Sequence, residues 1–210
     1  LLGGVEEPFR IVSRALSQGK AVVTANKNLL AERGPELFAL AAERRLPLGY
    51  EASVCAGIPI IRTLEEALRA ERITALEGIL NGTSNYLLTR MSEERAAYAQ
   101  CLADAQRLGL AEPDPTYDVS GQDAACKAGI LATLAFGAYV DCRRLPVTGI
   151  DGLGLEDVRQ AEVMGYRIKL VAAVRRAAGD RVDAEVAAVL LPLQHPLASI
   201  RMECNAVRIE

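Results

Sequence analysis

The residues that could carry chemistry are concentrated between Glu112 and Lys127, where carboxylates and a lysine lie close together in the chain. Asp123 precedes Lys127 by four residues, which places an acid and a base on one face of a helix in the favourable order. Residues 124–136 are otherwise mostly small or apolar, which predicts a buried helix. A buried ammonium group is costly unless it is paired, and its pKa shifts readily. The pattern fits either an ordinary ion pair in a core helix or a lysine held ready for proton transfer.

Other kinds of site fit these residues less well. The acids do not reproduce the alternating calcium loop with its closing glutamate. His195 is the only histidine and has no Gly-x-Ser-x-Gly partner, which argues against a triad hydrolase. A glycosidase-type pair of acids is compatible with the composition, but it gives Lys27 and Lys127 no role. The residues alone therefore predict a soluble α/β enzyme fragment with a lysine–carboxylate site.

Two turns are expected to bring further polar groups to such a site. Asn26 and Lys27 follow residues 20–25, which have the β-branched composition of a buried parallel strand. Ligands of open α/β sheets bind at the carboxyl ends of the strands. Residues 81–85 form a turn between a predicted strand at 73–80 and a helix, and free N–H groups at a helix start can hold a carboxylate. A plain strand–helix connection explains this turn equally well.

The order of the elements predicts two fold classes in one chain. Residues 1–50 show the order helix, strand, helix, strand of a doubly wound unit, with the second helix expected from Gly34-Pro35 onward. No Gly-x-Gly-x-x-Gly follows a predicted strand, so the Gly-rich half of such a unit is expected to be missing. Residues 167–177 and 181–190 predict a β-hairpin, and residues 205–210 begin another strand.

Composition and charge narrow the class of protein further. The 210 residues carry a formal net charge of −3 with acids and bases interspersed, so no nucleic-acid-binding surface is predicted. No apolar run reaches the roughly 20 residues of a membrane helix, and the N-terminus lacks the features of a signal peptide. Because no initiator Met is present, the sequence is expected to begin partway through a longer chain. The five scattered cysteines favour reduced thiols in the cytoplasm over a disulfide framework or a zinc site.

Four segments carry a resemblance to a known family. Val22–Ala31 reads V-V-T-A-N-K-N-L-L-A, Glu51–Ile60 reads E-A-S-V-C-A-G-I-P-I, and Gly78–Tyr86 reads G-I-L-N-G-T-S-N-Y. The fourth segment, at 108–127, begins with L-G-L-A-E-P-D-P. In this order and spacing the segments resemble homoserine dehydrogenases. The similarity continues to residue 206 and so covers essentially the whole chain.

The resemblance implies an NAD(P)-dependent oxidoreductase that interconverts L-aspartate 4-semialdehyde and L-homoserine, on the route to threonine and methionine. Carried over position by position, it makes Lys127 the proton-transferring lysine and Asp123 its carboxylate partner. It places Lys27 between cofactor and substrate, with Asn26 beside it on the cofactor side. These residues do not distinguish NAD from NADP, because the selecting position lies outside them. The alternative is a non-catalytic regulatory or assembly domain that kept the fold.

The same resemblance assigns the substrate contacts. Glu112 and Asp118 match acids that hold the substrate amino group and an adjacent water, and Thr83 falls on a substrate-contacting position. Leu110 stands where the family often has tyrosine, so one contact on the substrate side is expected to differ.

A monovalent cation and a second subunit are also implied. The cation, usually sodium, would be bound by main-chain carbonyl groups at positions that match Glu51, Val54, Ala56 and Ile58. Oxygen ligands of this kind suit a hard cation. The resemblance also implies a homodimer, and an apolar face of the catalytic sheet left uncovered would be its physical motive.

Motifs and resemblance together predict an α/β region followed by an α+β region. Residues 1–50 would form the latter part of a Rossmann-type dinucleotide-binding domain. Residues 51–204 would form a catalytic and dimerisation domain, with helices on one face of a mixed sheet. Residues 205–210 would start the return to the nucleotide-binding domain.

Overall fold

The computed structural model describes residues 2–210. Its first part contains the elements α1 (Glu6–Ser17), β1 (Val22–Val23), α2 (Lys27–Arg44) and β2 (Leu48–Gly49). The two strands pair in parallel, with Val22 opposite Leu48, as in a doubly wound sheet. The two helices share a small apolar core formed by Val12, Leu16, Leu29, Leu37 and Ala41. This part therefore has the helix–strand order that the sequence predicted.

The second helix starts earlier than predicted. It begins at Lys27, not at Gly34-Pro35. Asn26 is the reason, because its side chain accepts a hydrogen bond from the backbone N–H of Leu29 at 3.0 Å and so caps the helix.

Pro35 lies inside α2 without ending it. Proline has no N–H to donate to the carbonyl four residues earlier, which here belongs to Ala31. The hydroxyl of Tyr139 donates to that carbonyl instead, at 3.2 Å. A contact from a distant segment thus compensates for the proline.

The larger part of the chain forms a five-stranded mixed sheet. Its strands are β3 (Ala75–Ile79), β4 (Val147–Thr148), β5 (Tyr166–Arg176), β6 (Val182–Pro192) and β7 (Ala206–Ile209). Their order across the sheet is β4-β6-β5-β3-β7. β4 runs parallel to β6, and the other pairs are antiparallel. β5 and β6 form the hairpin that the sequence predicted.

Helices cover one face of this sheet, which confirms the predicted fold class. The helices of this part of the chain are α3 (Ile60–Arg62), α4 (Gly82–Glu93), α5 (Tyr98–Arg107), α6 (Thr116–Val119), α7 (Gln122–Phe136) and α8 (Leu155–Val163). Of these, α4, α7 and α8 pack against β5. The main core lies between them and includes Leu76, Leu87, Leu131, Leu170 and Val174. α7 is buried along most of its length, as its composition predicted.

The opposite face of the sheet carries a smaller apolar cluster of Ile79, Val171 and Leu197. The short 3-10 turn Pro196–Ser199 contacts β5 and β6 and covers part of this face. Glu77 also lies on it and pairs with Arg175.

The last strand joins the larger sheet. β7 pairs with β3, with Leu76 opposite Ile209, so residues 206–209 form an edge of that sheet. The return of residues 205–210 to the nucleotide-binding domain and the division of the chain into domains both stay predictions. Between residues 2 and 210, none of the helices has the length and apolar character needed to cross a bilayer.

Candidate active site

The predicted acid and base lie in the first turns of α7. The helix starts after Gly121, which has a φ of 88°. A Cβ at this position would lie 2.9 Å from Val147, so glycine is required by backbone conformation and by space. The tight start turns Asp123 toward the connection between β3 and α4.

Asp123 is shared by two lysines. Its Oδ1 lies 2.8 Å from Lys27 Nζ, and its Oδ2 lies 2.8 Å from Lys127 Nζ. The residue is only 2% exposed. Burial alone would raise the pKa of this carboxyl, but the charges and hydrogen bonds of Lys127 and Lys27 outweigh burial and lower it. Asp123 is therefore ionised at neutral pH and holds two ammonium groups at one point.

A residue that the sequence analysis did not single out completes this cluster. The amide nitrogen of Asn81 donates to Asp118 Oδ1 and to Asp123 Oδ2, both at 2.8 Å. Its oxygen accepts from the backbone N–H of Ser84 at 2.7 Å and so caps α4. An asparagine before a helix is a recognisable capping signal, but nothing local indicates its two carboxylate partners.

Each lysine has a second contact that orients it. Lys127 Nζ donates to the carbonyl of Leu80 at 2.8 Å, at the end of β3. Asp123 and Leu80 thus take two of its three N–H bonds within residues 2–210. Lys27 lies over the ring of Tyr117, with Nζ 5.3 Å from the ring centroid.

The predicted substrate residues surround the same cleft. The hydroxyl of Thr83 donates to the carbonyl of Leu110 at 2.7 Å, which fastens the start of α4 to the acidic segment. Glu112 is exposed at the rim, and its carbonyl accepts from Gln106 at 3.2 Å. Asp118 lies between, half-buried, with one oxygen bound by Asn81.

The cleft has a volume of about 390 Å³. It is lined by Lys27, Asn81, Gly82, Thr83, Gly109, Leu110, Ala111, Glu112, Asp118, Asp123, Lys127 and Glu203. All six side chains predicted for catalysis and substrate binding meet here. Glu203 was not predicted. Its carbonyl lies 2.7 Å from the position of a Cβ on Gly82, so only glycine lets these two segments approach.

Lys27 also borders a second, smaller cleft of about 270 Å³ at the carboxyl end of β1. Asn26 lines it as well. The Asn26 amide donates to the carbonyls of Leu2 and Gly4, each at 2.8 Å, and so holds the N-terminal stretch against this edge. Lys27 thus lines both clefts, and its place between cofactor and substrate stays a prediction.

A larger depression of about 920 Å³ lies elsewhere, at the far end of the β5–β6 hairpin. Its lining includes Tyr139, Arg144 and Arg175 but none of the predicted site residues. The predicted site residues therefore converge on a cleft that is smaller than this depression.

The four positions predicted for a cation lie on one tight loop between β2 and α3. The carboxylate of Glu51 accepts from the N–H groups of Ile61 and Arg62 at 2.8 and 3.0 Å, so this side chain caps α3. The chain turns at Cys55 and Gly57, where φ is 51° and 86°.

The other three positions offer main-chain oxygens only. Val54 is extended, and Ala56 lies in the turn between Cys55 and Gly57. The carbonyl of Ile58 accepts from the N–H of Ile60 at 2.8 Å. Among the residues that the structure describes, no group of three or more His, Cys, Asp or Glu side chains could hold a metal ion.

Fold and site together define a two-part α/β protein with a lysine–carboxylate cleft where a parallel sheet meets a mixed one. Comparison with known proteins gives the family. The homoserine dehydrogenase family model matches residues 59–210. The chain belongs to the homoserine dehydrogenase family.

Individual relatives agree with this assignment. The chain is 46% identical to a homoserine dehydrogenase of Bacillus subtilis and 45% identical to one of Lactococcus lactis. All of the chain is covered, but only 48% and 49% of these relatives, so it spans about half their length. A solved homoserine dehydrogenase structure from Thiobacillus denitrificans is similar with a TM-score of 0.94 at 45% identity, covering 100% of this chain and 48% of that one.

Proposed function

We propose that the complete enzyme reduces L-aspartate 4-semialdehyde to L-homoserine, reversibly, with a nicotinamide cofactor, in threonine and methionine biosynthesis. The observation that carries this proposal is the ammonium group of Lys127, which Asp123 and Leu80 hold at 2.8 Å inside the cleft. The names of the relatives and the shared fold support it.

The chemistry follows from where charge develops. NADH or NADPH, when bound, supplies a hydride to the aldehyde carbon. Negative charge then builds on the aldehyde oxygen. The third N–H of Lys127 stabilises that charge and delivers the proton that completes the alcohol. Asp123 keeps the ammonium group aligned with the aldehyde oxygen.

The acids on the other side of the cleft suit the amino acid part of the substrate. Glu112 and Asp118 bind the substrate ammonium group and an adjacent water. Asn81 fixes one oxygen of Asp118 and leaves the other for the ligand. The first N–H groups of α4, next to Thr83, suit the substrate carboxylate because helix starts attract anions.

The cofactor side fits a nicotinamide nucleotide. Asn26 and Lys27 line a cleft at the carboxyl end of β1, the edge where doubly wound sheets bind nucleotides. Lys27 reaches from there to Asp123, so its charge acts on the reacting groups from the cofactor side.

A monovalent cation, sodium, is proposed on the loop between β2 and α3. The main-chain carbonyls of Glu51, Val54, Ala56 and Ile58 would bind it, and they offer the hard oxygen ligands that such a cation prefers. The side chain of Glu51 is occupied as a cap, which is consistent with main-chain ligation. Activity titrated with sodium chloride against choline chloride tests this site.

We also propose a homodimer that meets through the part of the sheet face around Val171 that the Pro196–Ser199 turn does not cover. Residues 1–50 belong to the nucleotide-binding domain and residues 51–204 to the catalytic and dimerisation domain. The five free cysteines support a cytoplasmic location. Sedimentation of the full-length enzyme tests the oligomeric state.

The activity is tested by a steady-state assay of the full-length enzyme with aspartate semialdehyde and NADPH or NADH. Turnover that disappears in Lys127→Ala, with an unchanged circular dichroism spectrum, supports the proposal. Near-normal kcat in that variant rejects the role of Lys127. No turnover in the wild type favours the alternative, a regulatory or assembly domain that kept the fold.

A further inference from the structure

Two cysteines that the proposed reaction does not use lie against each other beside the active cleft. Cys126 is on α7, directly before Lys127, and Cys142 begins the 3-10 turn Cys142–Arg144. Their sulfur atoms are 3.2 Å apart. Both residues are buried, at 8% and 3% exposure. The spacing of the five cysteines along the chain predicted reduced thiols and did not indicate that these two lie together.

A missing side chain allows this close approach. Gly129, one turn after Cys126 on α7, faces the 139–144 segment. A Cβ on Gly129 would lie 2.9 Å from the carbonyl of Val140 and 3.4 Å from the Cβ of Cys142. Any larger residue would therefore push the segment, and with it Cys142, away from the helix.

The thiol pair is connected to both helices that carry the lysines of the proposed mechanism, because Cys126 is part of α7 and the 139–144 segment contacts α2. The 139–144 segment is tied to α2 through Tyr139, which donates to Ala31, and through Arg143, which lies 3.6 Å from Glu32. A displacement of Cys142 would therefore act on α2, the helix that begins with Lys27, through these two contacts.

A second connection runs through Tyr117. Its hydroxyl lies 3.2 Å from Cys126 Sγ and 2.8 Å from Asn28 Oδ1. Its ring lies under the ammonium group of Lys27. Tyr117 is 39% exposed, so the thiol pair lies only one residue below the surface.

The surroundings favour Cys126 as the reactive sulfur. The hydrogen bond from Cys142 lowers the pKa of Cys126, burial opposes this, and the hydroxyl of Tyr117 lowers it further. The same hydrogen bond raises the pKa of Cys142. Thiolates are the nucleophilic form of cysteine.

We propose that Cys126 and Cys142 are an oxidation site that forms a reversible disulfide and lowers the turnover of the enzyme, with hydrogen peroxide or another small hydroperoxide as the oxidant. The Cys126 thiolate attacks one peroxide oxygen, the O–O bond breaks, and hydroxide leaves with the thiol proton as water. Cys142 then attacks the sulfenic sulfur, the S–O bond breaks, and a second water leaves. Two thiols lose two electrons and two protons, and the peroxide is reduced to water.

Bond formation requires a movement. A disulfide bond is about 2.05 Å long, so the sulfurs must approach by roughly 1 Å. The movement draws Cys126 away from Tyr117 and draws the 139–144 segment toward α7. Because displacements of about 1 Å in an active site can reduce rates by up to about 100-fold, we expect turnover to fall by about tenfold or more.

The test uses the full-length enzyme, treated with hydrogen peroxide, blocked with N-ethylmaleimide and digested without reductant. The expected result is a linked peptide pair containing Cys126 and Cys142, with a loss of turnover that dithiothreitol reverses. Cys142→Ser should abolish the link and leave a sulfenic acid on Cys126 that dimedone traps. Cys101→Ser, which changes a buried cysteine outside the pair, should behave like the wild type.

Absence of the linked peptide in the wild type overturns the proposal, and so does a link that leaves the turnover of an active enzyme unchanged. Mass spectrometry detects the bond whether or not the enzyme reduces the semialdehyde. Failure of this inference is therefore distinguishable from failure of the proposed function. Thermal unfolding of each variant separates loss of the thiol from loss of the fold.

Discussion

Two lysines of this protein are withdrawn from water, and they differ in what receives their hydrogen bonds. Lys127 donates to the carboxylate of Asp123 and to one carbonyl. Lys169, on β5, is 1% exposed and donates to the amide oxygen of Asn85 at 2.7 Å and to the carbonyl of Ile200 at 2.5 Å. Burial, with a smaller contribution from Arg167, lowers the pKa of Lys169 to about 8.

In the proposed mechanism, this difference separates a reactive lysine from a structural one. The proposed proton donor needs a carboxylate that positions it and an opening through which the substrate reaches it, and Lys127 has both. Lys169 has neutral partners and faces no cleft that holds the other site residues. It joins β5 to α4 through Asn85 and to residue 200 in the loop before β7. A buried lysine is thus a sign of function only when a carboxylate and a cleft accompany it.

The largest effect is expected when Lys127 is replaced. Lys127→Met should reduce kcat of the full-length enzyme by about 1000-fold, because the proton donor and the charge on the developing alkoxide are both lost. Steady-state kinetics measures this. The matched control is Lys169→Met, which should keep most of the turnover of its folded fraction. Equal losses of kcat in both variants would remove the distinction between the two lysines.

Removal of the shared carboxylate should have the next largest effect. Asp123→Asn leaves Lys27 and Lys127 without a counter-charge and should lower kcat/KM by about 100-fold. The control is Asp114→Asn, which removes an exposed acid in the same segment. If both variants retain wild-type kcat/KM, Asp123 is an ordinary core ion-pair partner.

The side-chain amide of Asn85, which accepts a hydrogen bond from Lys169, should matter for the stability of the fold. Asn85→Ala removes an acceptor of a buried ammonium group and also two hydrogen bonds to the carbonyls of Ile200 and Cys204. The free energy of unfolding should fall by about 3 kcal/mol. Denaturant titration measures the change, and a loss below about 1 kcal/mol would contradict the structural role of this contact.

The smallest effect concerns pH. The folded pKa of Lys169, about 8, lies below the value of about 10.4 expected in the unfolded chain. Between these values the unfolded state binds up to one more proton than the folded state, so this lysine makes stability rise by up to about 1.4 kcal/mol per pH unit. Below pH 8 it is charged in both states and contributes no slope. Glu93 opposes the shift, while Arg167 and Arg201 reinforce it.

Asn85→Asp sharpens the same comparison. It gives Lys169 the carboxylate partner that Lys127 already has, which should raise the pKa of Lys169 and remove the rise in stability above pH 8. Unfolding midpoints measured from pH 7 to pH 10 decide this. If stability rises with pH in the variant as it does in the wild type, another group causes that rise.

Local features of this protein were readable from its sequence. The bounds of α7 follow from its composition. The pairing of Asp123 with Lys127 follows from helical spacing, because both residues belong to this one helix. The hairpin of β5 and β6 follows from two apolar runs around a short turn. Each of these features depends on residues that are close in the chain.

Features that depend on distant segments were not readable. The bond from Asn81 to Asp123 requires α4 and α7 to meet, and the approach of Glu203 to Gly82 requires the loop before β7 to fold back. The continuation of α2 through Pro35 depends on a hydroxyl from residue 139. Periodicity carries no information on such contacts, because they arise only when the elements pack.

The pair between Lys27 and Asp123 has a consequence for motion. Lys27 belongs to α2 and Asp123 to α7, and their charged atoms are 2.8 Å apart with the carboxylate 3% exposed. A movement that separates these helices must pull an ammonium group away from a nearly dry carboxylate, and salt screens such a contact poorly. Widening of the entrance would therefore carry an electrostatic penalty, and in the proposed reaction that penalty would oppose the release of product and cofactor.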